Sequence, residues 1–321
     1  WTIDTLIIER DVPTRFNPED ILYNDTNDIY VVGDDQIRYY NVYFHYNGKE
    51  WREHKIWSLD KAYSICKIEN TIYLVGGDTE TNNEGEEEFV PRIVKYNESE
   101  WVEELTVIKE NNKSGRSHFN DIWGHQKNDI WACGLDGLMY HYNGHDWVDY
   151  SMADTIWIDI ISGNSPNDLY ASAYYLYSLS DGVNYILRWD GKKWRIDDKY
   201  FSINYDYQFY PFGNLDIHVS DEYIYSCGYG VFKKGPTDNE WRKLFQHESA
   251  AYYDISGSGP DNIYTVGQWG VANYYDGENW FVLDSVYQNR DLIYTKTWTD
   301  GNQAFIIGYD YNHRAYILHG K

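Results

Sequence analysis

An alternating polar and aromatic run leads into Asn-Gly or Asp-Gly, and a tryptophan follows three residues after the glycine, in "FHYNGKEWREH" (Phe44 to His54), "GLMYHYNGHDWVDY" (Gly137 to Tyr150), "LRWDGKKWRID" (Leu187 to Asp197) and "NYYDGENWFVL" (Asn273 to Leu283). Asn-Gly and Asp-Gly tolerate the positive φ of a tight turn, so flanking alternation predicts a hairpin of two antiparallel strands in each copy.

A second pattern precedes each hairpin: "NDIYVVG" (Asn27 to Gly33), "NTIYLVG" (Asn70 to Gly76), "NDIWACG" (Asn128 to Gly134) and "DNIYTVG" (Asp261 to Gly267), with weaker copies from Asn167, Glu222 and Asn302. A third, Asp followed by Ile or Leu, stands before it at Asp20, Asp121, Asp159, Asp216, Asp254 and, more loosely, Asp291, while the second repeat has Ser64-Ile65. Each unit therefore reads as four short strands, and four strands in about 40 to 45 residues is the arithmetic of a β-propeller blade. The sequence predicts an all-β, seven-bladed propeller.

Tryptophans stand at the expected place in six repeats (Trp51, Trp101, Trp147, Trp194, Trp241 and Trp280), and the seventh runs out at "YILHGK". Trp1 supplies the missing one. "WTIDTL" is thus predicted as the fourth strand of the last blade, joining the two ends of the chain in one sheet without an open edge.

The repeats fill residues 1–321, which predicts one domain, and 34 Tyr with 14 Trp supply large rigid rings for the interfaces between blades. A net charge of −24 excludes nucleic acid as a partner and favours cations or basic partners. No apolar run reaches the about 20 residues that cross a bilayer, so no transmembrane segment is expected in this chain. The first residue is Trp rather than Met, as after removal of a signal peptide or a lipid-anchor segment or after trimming, and the expected location is outside the cytoplasm, secreted or anchored at the cell surface. Cys66, Cys133 and Cys227 fall in strands of different repeats and read as buried apolar residues.

With "DIWGHQKNDIWACGLDGLMYHYNGHDW" (Asp121 to Trp147) as its clearest copy, the whole chain resembles bacterial β-propellers built from degenerate WD- or YVTN-like repeats, many of them exported or surface-anchored. The resemblance implies a fold rather than an activity: such propellers include binding modules and assembly scaffolds. The Gly-His and Trp-Asp pairs of the eukaryotic WD repeat are not in register, and the Ser-x-Asp-x-Gly-x-x-Trp turn of sialidase-like propellers is absent.

In a four-stranded meander, second-to-third and blade-to-blade connections share one face, and the excess length falls there: Gly77 to Pro91, Leu105 to His118, Tyr174 to Asn184 and Asp197 to Gly213. Insertions on one face of a repeat array mark a binding face. Its candidate anchors are Tyr174, Tyr175, Tyr177, Tyr205, Tyr207, Phe209 and Tyr210, which suit a protein partner or a glycan, or else pack down a compact loop. The repeated carboxylates Asp121, Asp159, Asp216 and Asp254 read either as cation ligands facing a central channel or as acceptors for backbone N–H groups within the repeat, the commoner use. The acidic insertion with Glu80, Glu84, Glu86, Glu87 and Glu88 has no regular calcium-loop spacing. No cofactor is required by these motifs; calcium is the ion their oxygens would suit. His45 and His141 share a motif position that also holds Lys95 and Arg188, which argues against chemistry there. The expected function is a non-enzymatic binding module or scaffold, with a lectin-like propeller second and an enzyme third.

Overall fold

The computed structural model describes residues 2–6, 16–35, 41–56, 58–81, 85–97, 99–107, 117–153, 155–178, 181–202, 211–220, 223–247, 250–283 and 290–320. Within them, 28 strands form seven four-stranded antiparallel sheets, the blades of a seven-bladed β-propeller. Contacts divide the chain into two compact units, Ile8–Ile161 and Trp1–Ile7 with Ser162–Lys321, a division that falls inside a strand rather than between repeats.

In the first unit, blade one is β2 (Phe16–Asp25), β3 (Asp28–Asp35), β4 (Asn41–Tyr46) and β5 (Trp51–Lys55). Blade two is β6 (Lys61–Ile68), β7 (Thr71–Thr81), β8 (Glu87–Tyr96) and β9 (Trp101–Thr106), and blade three is β10 (Phe119–Gln126), β11 (Asp129–Gly134), β12 (Met139–Tyr142) and β13 (Trp147–Asp149). Blade four is β14 (Trp157–Ser165), β15 (Asp168–Leu176), β16 (Gly182–Trp189) and β17 (Trp194–Ser202). Blade five is β18 (Asp216–Ser220), β19 (Tyr223–Gly228), β20 (Gly230–Lys234) and β21 (Arg242–Phe245), and blade six is β22 (Tyr252–Gly259), β23 (Asn262–Gly267), β24 (Ala272–Tyr275) and β25 (Trp280–Val282). Blade seven is β26 (Leu292–Thr299), β27 (Ala304–Asp310), β28 (Ala315–Gly320) and β1 (Thr2–Leu6), in the order β1-β28-β27-β26. The N-terminal strand thus completes the last blade, pairing Thr2 with His319 through Leu6 with Ala315. Trp1 lies outside the described residues.

The repeated glycine that closes the second strand has a steric cause. In blades one, two, three, six and seven a bulge in the first strand, between Pro18 and Asp20, Ala62 and Ser64, Phe119 and Asp121, Tyr252 and Asp254, and Tyr294 and Lys296, brings that strand's backbone close to the second strand. A Cβ on Gly33, Gly76, Gly134, Gly267 or Gly308 would meet a backbone carbonyl oxygen at 1.8 to 2.2 Å. Only glycine fits.

In the Asn-Gly turns the two residues divide the work. Gly48, Gly144, Gly191 and Gly277 take φ of 84 to 96°, while the Asn47, Asn143, Asp190 and Asp276 side chains accept two backbone N–H groups each from the turn.

The aromatic of the second strand faces one partner of the third strand in every blade: Tyr30 and His45, Tyr73 and Lys95, Trp131 and His141, Tyr170 and Arg188, Tyr225 and Lys233, Tyr264 and Tyr274, Phe305 and His319. The three histidine rings stack flat on their partners at 4.2 to 4.4 Å, and Asp28, Asp129 and Gln303 each hold one at 2.7 Å. Arg188 and Lys233 instead lie over the faces of Tyr170 and Tyr225, both at 5.3 Å. A flat or cationic partner is what this position demands, which explains how His, Lys and Arg interchange there.

The apolar core lies between blades. Leu22, Val32, Ile65 and Leu74 join blades one and two, and Val75, Ile93, Phe119 and Ile130 join two and three. In the second unit Tyr225, Val231, Tyr252 and Ile263 join blades five and six, and Val266, Ala272, Tyr294 and Ile306 join six and seven.

Candidate binding surface

Two of the four insertions are strands rather than loops. The blade-two insertion lengthens β7 and β8, paired as far as Thr81 and Glu87, and there buried Arg92 binds the carboxylates of Asp78 and Glu80. The blade-four insertion lengthens β15, β16 and β17 together, with Leu176 opposite Gly182 and Gly182 opposite Ser202.

Cross-strand register puts Tyr175, Val183 and Phe201 in one row of the blade-four extension, with Ala173, Tyr185 and Lys199 in the next row on the same face. Tyr177 meets Tyr175 edge to face at 5.2 Å, and Lys199 lies over Phe201 at 5.7 Å. Leu176, Tyr177 and Phe201 are 49, 51 and 54 % exposed, unusual for side chains of this size. Tyr174 and Tyr175 are half-buried. Tyr205, Tyr207, Phe209 and Tyr210 lie outside the described residues. Tyr185 and Phe201 belong to the surface although the sequence alone does not single them out, because their shared face follows from register.

The repeated carboxylates join blades. Asp20 accepts the N–H of Ile65 at 2.9 Å, and the single Ser64 hydroxyl proton is shared between Asp20 at 3.0 Å and Asp121 at 2.8 Å. Asp121 accepts the N–H of Ile161 at 2.9 Å, Asp216 that of Ile255 at 2.9 Å, and Asp254 that of Thr297 at 2.8 Å. The expected backbone-acceptor role is present within the repeat, where Asp20 and Asp216 accept the N–H of Ile21 at 2.8 Å and of Ile217 at 2.7 Å, and it also reaches the next blade. Two assignments need correction. Asp291 is exposed and precedes β26; Lys296 holds its position and pairs with Asp254 at 2.8 Å. Ile161, not Ile160, is the residue that receives Asp121, so Asp159 stands one residue early in its strand. Among the described residues no group of three or more His, Cys, Asp or Glu is placed to hold a metal ion.

The slip leaves Asp159 short of donors. Asn120 Nδ2 donates to it at 3.3 Å, and burial pushes its carboxyl up to about 8. A folded-state pKa above the unfolded one gives stability that is full below about pH 4 and lost as pH rises to about 8. A tenfold change in proton affinity is worth about 1.4 kcal/mol, and with about half of the effect screened at this partly accessible side chain, Asp159→Asn is expected to gain about 3 kcal/mol at pH 8. Denaturant titrations at pH 5 and pH 8 check this: the gain should be several-fold larger at the higher pH.

A cleft of about 420 Å³ opens at the other end of the blades, beside the short turns of blades four and five. Asp168, Tyr170, Arg188 and Asp197 form one wall, Tyr223, Lys234, Gly235 and Pro236 the other. Tyr223 and Pro236 are shared with a larger hollow of about 980 Å³ that reaches Lys233, Trp241 and Arg242. Lys234 binds Asp197 at 3.3 Å and Asp198 at 2.5 Å, and the Trp241 indole donates to Asp198 at 2.9 Å. The sequence carries a signal for this site: where four blades have Asn-Gly or Asp-Gly, blade five has "GPTDNEW" (Gly235 to Trp241), a longer connection with its own wall.

No family model matches the chain, and no curated protein matches it. Solved structures do. The chain is similar to a structure described as YCF48 bound to D1 peptide, at 13% identity and a TM-score of 0.65, over 99% of this chain and 97% of that one. It is similar to the WD40 β-propeller domain of Doa1 at 13% identity and a TM-score of 0.59, over 99% and 95%. It is also similar to the extracellular domain of the putative one component system BT4673 from B. thetaiotaomicron, at 12% identity and a TM-score of 0.59, over 98% of this chain and 40% of that one. At these identities the likeness is one of fold. Among the described residues no helix is long and apolar enough to cross a membrane.

Proposed function

We propose that the protein is a non-enzymatic binding module or assembly scaffold, exported or held at the cell surface, that takes a protein partner on the blade-four extension. The observation that carries this reading is the exposure of Tyr177 and Phe201 beside Tyr175, at the end of strands that the repeat does not need. Rigid aromatics with apolar neighbours are the side chains that anchor protein interfaces. One similar propeller is described as bound to a peptide, and another as an extracellular domain, which supports the reading by analogy.

Tyr177 also offers an exposed ring on which a sugar would stack, so a glycan is the second reading. The test compares the native chain with Tyr177→Ala/Phe201→Ala on envelope proteins of the source cell and on a glycan array. Loss of one captured protein by about 30-fold, the scale of an aromatic anchor, is expected, while Phe281→Ala/Val282→Ala, which trims exposed side chains of blade six, keeps it. Saturable glycan binding lost in the first variant, with no protein captured, would establish the second reading instead.

A further inference from the structure

We infer that the cleft between blades four and five and the hollow it shares residues with form a second binding site, separate from the blade-four extension, that takes an acidic peptide segment through Arg188 of the cleft and Lys233 and Arg242 of the hollow. Of the acids, Asp197 and Asp198 pair with Lys234, while Asp238 and Asp168 are held by neutral donors, the N–H of Gly235 at 2.8 Å and Asn164 Nδ2 at 3.4 Å, and keep their charge. Among the described residues of the site, only the carboxylate of Glu240 stands at the rim without such a partner.

Three of the four cations form no ion pair, although the Asp238 charge acts on Lys233. Among the described residues no carboxylate forms an ion pair with Arg188, Lys233 or Arg242; their places are set by tyrosine faces and strand register. Arg188 lies over Tyr170 at 5.3 Å, and Lys233 over Tyr223 at 3.5 Å. Lys233 and Arg242 stand directly opposite each other across β20 and β21, an arrangement of like charges that costs stability in a sheet. Burial and then Arg242 push the Lys233 ammonium below its ordinary range. An anion lodged between them would offset both costs.

A guanidinium held over a ring face rather than in an ion pair keeps N–H groups for a bidentate acceptor, which fits a carboxylate. Tyr170, Tyr223, Pro236 and Trp241 add an apolar floor, and the cleft runs into the larger hollow. That shape suits an extended segment rather than a free ion. A chain of net charge −24 repels acidic peptides in general, so any attraction reports a local site.

Fluorescence anisotropy of a labelled hexaglutamate peptide with the full chain tests the inference, a hexaglutamine peptide serving as reference. Hexaglutamate should bind saturably and at least tenfold more tightly. Lys233→Gln and Arg242→Gln should each weaken it at least tenfold, and Lys233→Gln should melt no lower than the native protein because it relieves the opposed charges. Lys192→Gln/Lys193→Gln, on the exposed neighbouring turn, and Tyr177→Ala/Phe201→Ala should bind as the native chain does, which keeps this site distinguishable from the blade-four surface. Equal binding of the two peptides, or unchanged affinity in both charge variants, would overturn the inference. Displacement by inorganic phosphate where chloride of equal ionic strength fails would overturn it too, by making the site one for free anions.

Discussion

A chain lacking Thr2–Leu6 is expected to lose about 4–6 kcal/mol of stability. The deletion removes five paired positions from β28 and leaves that strand as a bare edge; its ladder hydrogen bonds contribute about 1 kcal/mol each, and it uncovers a strand whose Ala315, Ile317 and Leu318 are all buried. An exposed edge also templates pairing with a second chain, so the shortened protein should self-associate on heating. A permuted chain that carries Thr2–Leu6 after Gly320 through an Asn-Gly turn converts blade seven into the ordinary hairpin of blades one to six. It should regain the native melting temperature. Native stability in the deletion, or no recovery in the permutant, would mean that β1 does not complete the blade.

The pairing of β1 with the last blade is legible in the sequence because the seventh repeat lacks its tryptophan and Trp1 stands ahead of the first repeat. The repeat period, the turn glycines and the four-strand units are legible for the same reason: each is a local rule of backbone geometry written repeatedly, the four strands in all seven blades and the turn glycine in four. What the sequence does not disclose is whatever depends on register between strands. Asp159 looks equivalent to Asp121, yet a one-residue offset in β14 gives the donor contact to Ile161 and leaves Asp159 nearly without partners. Lys296 is invisible as the seventh member of the carboxylate set because nothing local marks it. The insertion in blade four reads as a loop, since strand extension depends on three segments lengthening together. The cleft between blades four and five is hidden for a different reason: its walls come from residues far apart in sequence, and a single irregular turn is its one local mark.

Asp216→Ala is expected to cost about 3–5 kcal/mol, the scale for removing one partner from a buried charged network. Asp216 is 3 % exposed and accepts its neighbour Ile217 N–H at 2.7 Å as well as Ile255 N–H at 2.9 Å in the next blade. Alanine would leave both donors buried without an acceptor and would break the hydrogen bond to Asp254, whose own oxygens hold Thr297 N–H and Lys296. Burial, followed by the Asp254 charge, raises the Asp216 carboxyl well above its ordinary range. The sign follows from that direction: its contribution is full below the ordinary carboxylate pKa and falls as pH rises through the folded one. Asp216→Asn keeps one acceptor and a donor toward Asp254 while removing the titration, so it should cost less than alanine and its stability should vary less between pH 5 and pH 8. Urea denaturation of the native chain and both variants at the two pH values measures this. If alanine and asparagine cost the same at both, the carboxylate does not latch blade five to blade six, and packing of Tyr225, Tyr252 and Ile263 alone holds them together.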